Sequence, residues 1–181
     1  MTALLRKHPD ALIPASVFAL GLATIAGAWA FQIVGHYVPC QLCLEQRIPY
    51  YVGLPVALAA FAAAATGLPT RIVSLLMALT AVVFAVGLYL GVYHSGVEWQ
   101  WWAGPPDCGG TGAGVTSAED LLNQLQGIRI VSCTEARWRF PAVPWGLSFA
   151  GWNAAISATL VAASSYAALR GLRPAERATA E

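Results

Sequence analysis

The chain has 181 residues, 57% of them hydrophobic and 10% charged, with a net charge of +1 and a mean hydropathy of +0.60. A soluble domain carries roughly 25% charged residues, so this composition belongs to a membrane protein. Lys7 is the only lysine, which leaves no basic surface or tail for nucleic acid and excludes that class of partner.

A hydrocarbon core about 30 Å thick takes roughly 20 apolar residues per helix, and four charge-poor runs meet that demand. The first covers residues 11–34. Arg6 and Lys7 precede it, and Ala28, Trp29, Ala30 resembles a small-residue cleavage site. At about 24 residues, however, the run is too long for a signal peptide and reads as a retained span. The second run covers residues 48–66 and the third residues 72–93. Only residues 67–71 separate them, so these two helices are antiparallel neighbours.

The segment from residue 95 to 142 is too long for a simple connection, and Gly109, Gly110, Gly112 and Gly114 loosen its early part. Further on, Ser117 can cap a short amphipathic helix, with Glu119 and Asp120 in its first turn and Leu121, Leu122 and Leu125 on one side; the alternative is a local hydrophobic cluster under the loop. The fourth run covers residues 143–169. The expected fold is an all-α membrane protein, a four-transmembrane-helix bundle forming one domain over residues 1–181, with a long outer loop.

Four spans put both termini and the 67–71 turn on one side, and residues 35–47 and 95–142 on the other. Arg6, Lys7, Arg71, Arg170, Arg173 and Arg177 lie on the first side; Arg47, Arg129, Arg137 and Arg139 lie on the second, spread over more loop residues. Cytoplasmic loops collect positive charge, so the first side faces the cytoplasm and all four cysteines lie outside.

Cys40, Gln41, Leu42, Cys43 is a C-x-x-C where the loop enters the second helix, after Pro39. The positive end of a helix dipole favours thiolate, the form that attacks disulfides and donates electrons. Arg47, four residues beyond Cys43, falls on the same helical face. A guanidinium there stabilises a thiolate, or a negative oxygen developing on an electron acceptor; the competing reading is an arginine reaching the headgroups.

Zinc fits poorly, because Cys108 and Cys133 are 25 positions apart and only one closely spaced ligand couple exists. Haem attachment through C-x-x-C-H fails because Leu44 follows Cys43. A structural disulfide between Cys108 and Cys133 remains open, as does a relay in which one pair passes electrons to the other by thiolate exchange. No flavin or nicotinamide fingerprint follows a strand, so elimination leaves a lipid-soluble quinone as acceptor. His94, beside Tyr93 at the outer end of the third run, is a candidate to hydrogen-bond such an acceptor or shuttle a proton, or else marks the membrane boundary. Trp99, Trp101, Trp102, Trp138 and Trp145 read as an aromatic belt.

These residues carry a resemblance. Pro39, Cys40, Gln41, Leu42, Cys43 with Gln46, Arg47; Tyr93, His94 before Glu98, Gly104, Pro105 and Cys108; and Cys133, Trp138, Phe140 leading to Trp152, Asn153 together resemble the DsbB family, bacterial membrane proteins that reoxidise the periplasmic dithiol oxidase DsbA and pass the electrons to quinone. The resemblance implies an inner-membrane, quinone-dependent protein-disulfide oxidoreductase. It implies that Cys43 faces the quinone with Arg47 and His94 in its pocket, that Cys108 forms the mixed disulfide with a DsbA-like thioredoxin-fold oxidase, and that Cys40 and Cys133 form a transient bridge. Ubiquinone is expected ahead of menaquinone, with no metal, flavin or haem. Two alternatives stand beside it: a membrane scaffold with structural disulfides, and a vitamin K epoxide reductase-like protein, in which the C-x-x-C comes late in the chain rather than first.

Overall fold

A computed structural model describes residues 9–105, 129–130, 132–136, 138–141 and 146–172. Cys108, the short helix expected after Ser117, Trp145, Arg137, the charged residues Arg6, Lys7, Arg173 and Arg177, and nearly all of the 109–130 segment lie outside the described residues.

Among the described residues, four helices are long and apolar enough to cross a membrane. Helix α1 is Leu12–Ile33; 22 residues at 1.5 Å each span about 33 Å, one hydrocarbon thickness. A two-residue strand β1 (Tyr37–Val38) leads to the short helix α2 (Gln41–Glu45), which runs into α3 (Ile48–Ala65). Pro49 at the start of α3 explains the interruption, since proline has no N–H to give the Glu45 carbonyl. The Arg47 N–H instead makes the tighter bond to Leu44 O at 3.0 Å.

Helix α3 ends at a turn in which Gly67 takes φ 75°, a left-handed conformation that glycine adopts without strain. Helix α4 (Thr70–Glu98) follows, antiparallel to α3. At 29 residues it is about 43 Å long and outruns the hydrocarbon by two turns or so. It therefore continues past Tyr93, where the apolar run stops: hydropathy marks the edge of the lipid, not the end of the helix. Trp102 secures the extra turn. Its Nε1 donates to Tyr93 O at 2.9 Å, and its ring lies over Gly96, where an added Cβ would sit 2.0 Å from it.

Helix α5 is Phe149–Leu172, shorter at its start than the apolar run from residue 143. The reason is local. Strand β4 (Leu147–Ser148) pairs antiparallel with β3 (Arg139–Phe140), and Ser148 Oγ accepts the Gly151 N–H at 3.2 Å, as a serine before a first helical turn does.

The helices close a ring in which α1 packs on α3, α3 on α4, α4 on α5 and α5 on α1. Where α4 crosses α5, Gly91 comes so close that an added Cβ would lie 2.9 Å from the Ala154 amide nitrogen. The core is built from small and medium side chains, among them Ala57, Ala60, Met77, Phe84 and Leu160, all under 2% exposed. Leu75, Val82, Val86 and Tyr89 of α4 stand outward and exposed, a contiguous apolar surface that suits lipid rather than water.

A second, smaller core lies beyond the lipid-facing part, formed by Leu42, Val97 and Cys133 with Cys40 and Tyr93 packed against it. Strand β2 (Arg129–Ile130) fixes it by pairing parallel with β1, Val38 opposite Ile130. Cys40 follows Val38 by two residues and Cys133 follows Ile130 by three, so this ladder carries the two cysteines to one place.

Candidate functional site

Cys40 is the N-cap of α2. Its sulfur accepts the Cys43 backbone N–H at 3.3 Å and lies 2.9 Å from the Cys43 sulfur; both thiols are free. His94 Nε2 approaches the Cys40 sulfur at 3.9 Å. With Cys40 ionised, the Cys43 thiol donates to it. That bond is the largest influence on the Cys40 thiol; burial opposes it, His94 and the Cys43 amide reinforce it, and the net effect lowers the thiol from 9.0 to about 5. Cys40 is thus the thiolate of the pair at neutral pH.

Cys133 is buried, 2% exposed, and disulfide-bonded. The ligand atoms of Cys40, His94 and Cys133 all lie within 4.8 Å of one another. The spacing rule applied to the sequence missed this trio, because its histidine arrives from a different helix. In the present redox state the Cys133 sulfur is committed to its disulfide and offers no thiolate to a metal. What the geometry does provide is a free cysteine sulfur close to one sulfur of a disulfide, the proximity that thiol exchange requires.

Cys43 faces the other way. It lines a cavity of about 290 Å³ between α1, α3 and α5, together with Arg47, Gln46, Tyr50 and Asn153. The remaining wall is mostly apolar and aromatic. Phe31, Trp138 and Phe149 form one corner, with Trp138 stacked on Phe149 at 4.4 Å and Phe31 edge-on to Phe149 at 4.8 Å. Trp138, read from the sequence as a belt residue, is therefore a wall of this cavity. Exposed Ala23, Phe140 and Trp152 also line it, so it opens to the surroundings of the bundle.

Arg47 does not reach the headgroups. It is 8% exposed and turns back onto α1: Nη1 donates to Gln32 Oε1 at 2.7 Å, Nη2 to Ala28 O at 3.4 Å, and the guanidinium lies 5.1 Å from the Trp29 ring centroid. Ala28 and Trp29, residues of the apparent cleavage motif, thus lie within α1 and hold this arginine. Among the described residues its partners are neutral, which leaves its charge available to the cavity.

His94 was expected at the end of the third helix and in the pocket with Arg47. Instead it sits within α4, 1% exposed, and does not line the large cavity. It adjoins a small void with Cys43, Glu98 and Glu135. Glu98 accepts a short hydrogen bond from Ser148 Oγ. Gln32, Gln46, Glu98, Ser148 and Asn153 were not assigned roles from the sequence. Their signal was present in their polarity, since amides and carboxylates in or beside apolar spans are costly without a purpose.

The family pattern described as disulfide bond formation protein DsbB matches residues 11–167. The chain belongs to the DsbB family. A protein of Rickettsia prowazekii (strain Madrid E), named as uncharacterized, is 33% identical over 87 residues, covering 48% of this chain and 44% of the relative. The match thus spans less than half of that relative's length. No solved structure matches the chain. The four-helix architecture expected of the DsbB family agrees with the fold described above.

Proposed function

We propose that this protein reoxidises a DsbA-like periplasmic dithiol oxidase by thiol–disulfide exchange and delivers the electrons to a membrane quinone. One observation carries the reading: the two thiols of the C-x-x-C face different partners. Cys43 lines an apolar cavity with a buried arginine whose partners among the described residues are neutral, while Cys40 lies within 4.8 Å of the disulfide-bonded Cys133.

The cycle balances as follows. The reduced oxidase gives two electrons to the Cys108–Cys133 disulfide, which opens to two thiols as the oxidase closes its own bridge. The Cys133 thiolate attacks Cys40 in the oxidised C-x-x-C, forming a Cys40–Cys133 bond and releasing Cys43 as thiolate. Cys108 then attacks Cys133, restoring the loop disulfide and leaving Cys40 and Cys43 reduced. The structure has the redox pattern of this last state, with Cys40 and Cys43 free and Cys133 bonded.

The cavity fits a quinone head: it is apolar and aromatic-walled, of pocket size, and supplied with one fixed cation. A bound quinone would accept two electrons and two protons and leave as quinol. Arg47, held by Gln32, would stabilise negative charge at the Cys43 sulfur and at an acceptor oxygen. The positive-charge bias supports a topology with the cysteines on the periplasmic side of the inner membrane and the termini in the cytoplasm. Two free thiols in the C-x-x-C argue against a scaffold built on two structural disulfides.

The test is single-turnover quinone reduction in lipid nanodiscs, with ubiquinone and menaquinone in parallel and a reduced thioredoxin-fold oxidase as donor. Cys43→Ala is expected to abolish quinone reduction, and Cys108→Ala to block only delivery from the oxidase. Undiminished quinone reduction by Cys43→Ala would defeat the assignment.

A further inference from the structure

A line of buried polar groups runs from the thiol pair into the bundle. His94 Nδ1 lies 2.6 Å from Gln46 Nε2. Gln46 Oε1 accepts from Asn153 Nδ2 at 2.7 Å, and Asn153 Oδ1 accepts from the Tyr50 hydroxyl at 2.8 Å. The Tyr50 oxygen is 3.5 Å from Ser157 Oγ. Gln46, Tyr50, His94 and Ser157 are all buried, so each of these groups depends on the next for its hydrogen bond.

A carboxamide has one donating and one accepting end, and each bond in such a line fixes the following one. Tyr50 donates over the short 2.8 Å distance to Asn153 Oδ1. The Asn153 amide nitrogen therefore turns to Gln46, whose oxygen is then occupied and whose NH2 faces His94. A neutral imidazole carries a single N–H. Its Nδ1 must accept from Gln46, so the proton resides on Nε2, the atom 3.9 Å from the Cys40 sulfur.

We propose that Gln46, held by Asn153 and Tyr50, is a positioning residue that fixes the tautomer of His94, so that the imidazole donates to the Cys40 sulfur rather than accepting its proton. His94 is then a stabiliser of the Cys40 thiolate and not its general base. The reversed line, with every bond inverted, would present a bare Nε2 to a Cys40 S–H. It would also leave the Tyr50 hydroxyl to donate across 3.5 Å to Ser157, a much poorer bond. The inference rests on the reading of Cys40 as a redox thiol, but it concerns a proton position that exists without quinone or partner.

Among the described residues, the ionisable groups around Cys40 and His94 are Tyr37 on β1, Cys43 on α2, Tyr93 and Glu98 on α4, Glu135 on the segment after β2, and Arg139 on β3, which acts on Glu98; Cys133 is disulfide-bonded and does not titrate. None of them changes in the variants below. The full-length protein, with the C-x-x-C reduced, is placed in nanodiscs with 15N-labelled histidine, and the His94 signals are identified by their loss in His94→Leu. The expected spectrum has a protonated Nε2 and an unprotonated Nδ1.

Alkylation of Cys40, mapped by mass spectrometry, is then followed against pH. In Gln46→Met the midpoint is expected to rise by about one unit, a roughly eightfold loss of reactivity at pH 4.5. Asn153→Leu, one bond further along the line, is expected to shift it in the same direction by less. A protonated Nδ1 in the wild type, or an unmoved midpoint in Gln46→Met, overturns the proposal; should Gln46→Met not fold, the wild-type spectrum decides. Quinone turnover measured beside these bears on the proposed function alone, since neither readout here requires an acceptor.

Discussion

Replacing Cys43 by alanine removes the strongest single influence on the Cys40 thiol while leaving the Cys43 backbone amide and His94 in place. The intact pair holds Cys40 at about 5 against an ordinary 9.0, so at pH 7 Cys40 is about 99% thiolate where an ordinary thiol is about 1%. The sign follows from the depression: the charged form is the one stabilised, so the stabilisation is complete above pH 9 and disappears as pH falls from 9 to 5. Cys43→Ala should raise the midpoint by at least about two units, toward the burial-dominated side, and cut the thiolate at pH 6 from about 90% to about 10%. The assay is stopped-flow alkylation of the reduced protein between pH 4 and 10, with Cys40 identified by mass mapping. A wild-type midpoint near 9, or one that Cys43→Ala leaves unmoved, would refute the account of the pair as a thiolate stabilised by its neighbour.

Two further outcomes follow from the packing. Arg47→His shortens the cation and breaks its bond to Gln32, so quinone turnover should fall and the apparent quinone affinity weaken while the helical content by circular dichroism is kept; unchanged kinetics would return Arg47 to a structural role. Gly91→Val forces a side chain against the backbone of α5 at the closest crossing of the bundle, and should destabilise the protein by about 1–3 kcal/mol, read as a lower midpoint in denaturant titration in mixed micelles.

The spans were legible because apolar length against bilayer thickness is a one-dimensional property. So was the C-x-x-C at a helix start, since proline and cysteine spacing act locally. What the sequence hid was set by contacts between distant segments. The end of α4 depended on Trp102 folding back over Gly96, and the start of α5 on β4 pairing with β3. Arg47 was expected beside Cys43 on one continuous face; both do line the cavity, but through an interrupted helix and with the guanidinium drawn to Gln32. His94 separated from Arg47 because α4 continues through it and turns its side chain toward Cys40. No periodicity announces that a residue of α5, Asn153, hydrogen-bonds to Gln46 between α2 and α3.

The parallel pairing of Val38 with Ile130 has a kinetic meaning. With the Cys40 and Cys133 sulfurs kept within 4.8 Å, each meets the other at an effective concentration of about 4 M, that of one sulfur in a sphere of this radius. Small thiols at millimolar levels would compete for Cys133 at a disadvantage of about a thousandfold. On the proposed function, two rungs of β-ladder would insulate the exchange between the pairs from the surrounding thiol pool, and make its rate independent of how much of the protein the membrane holds.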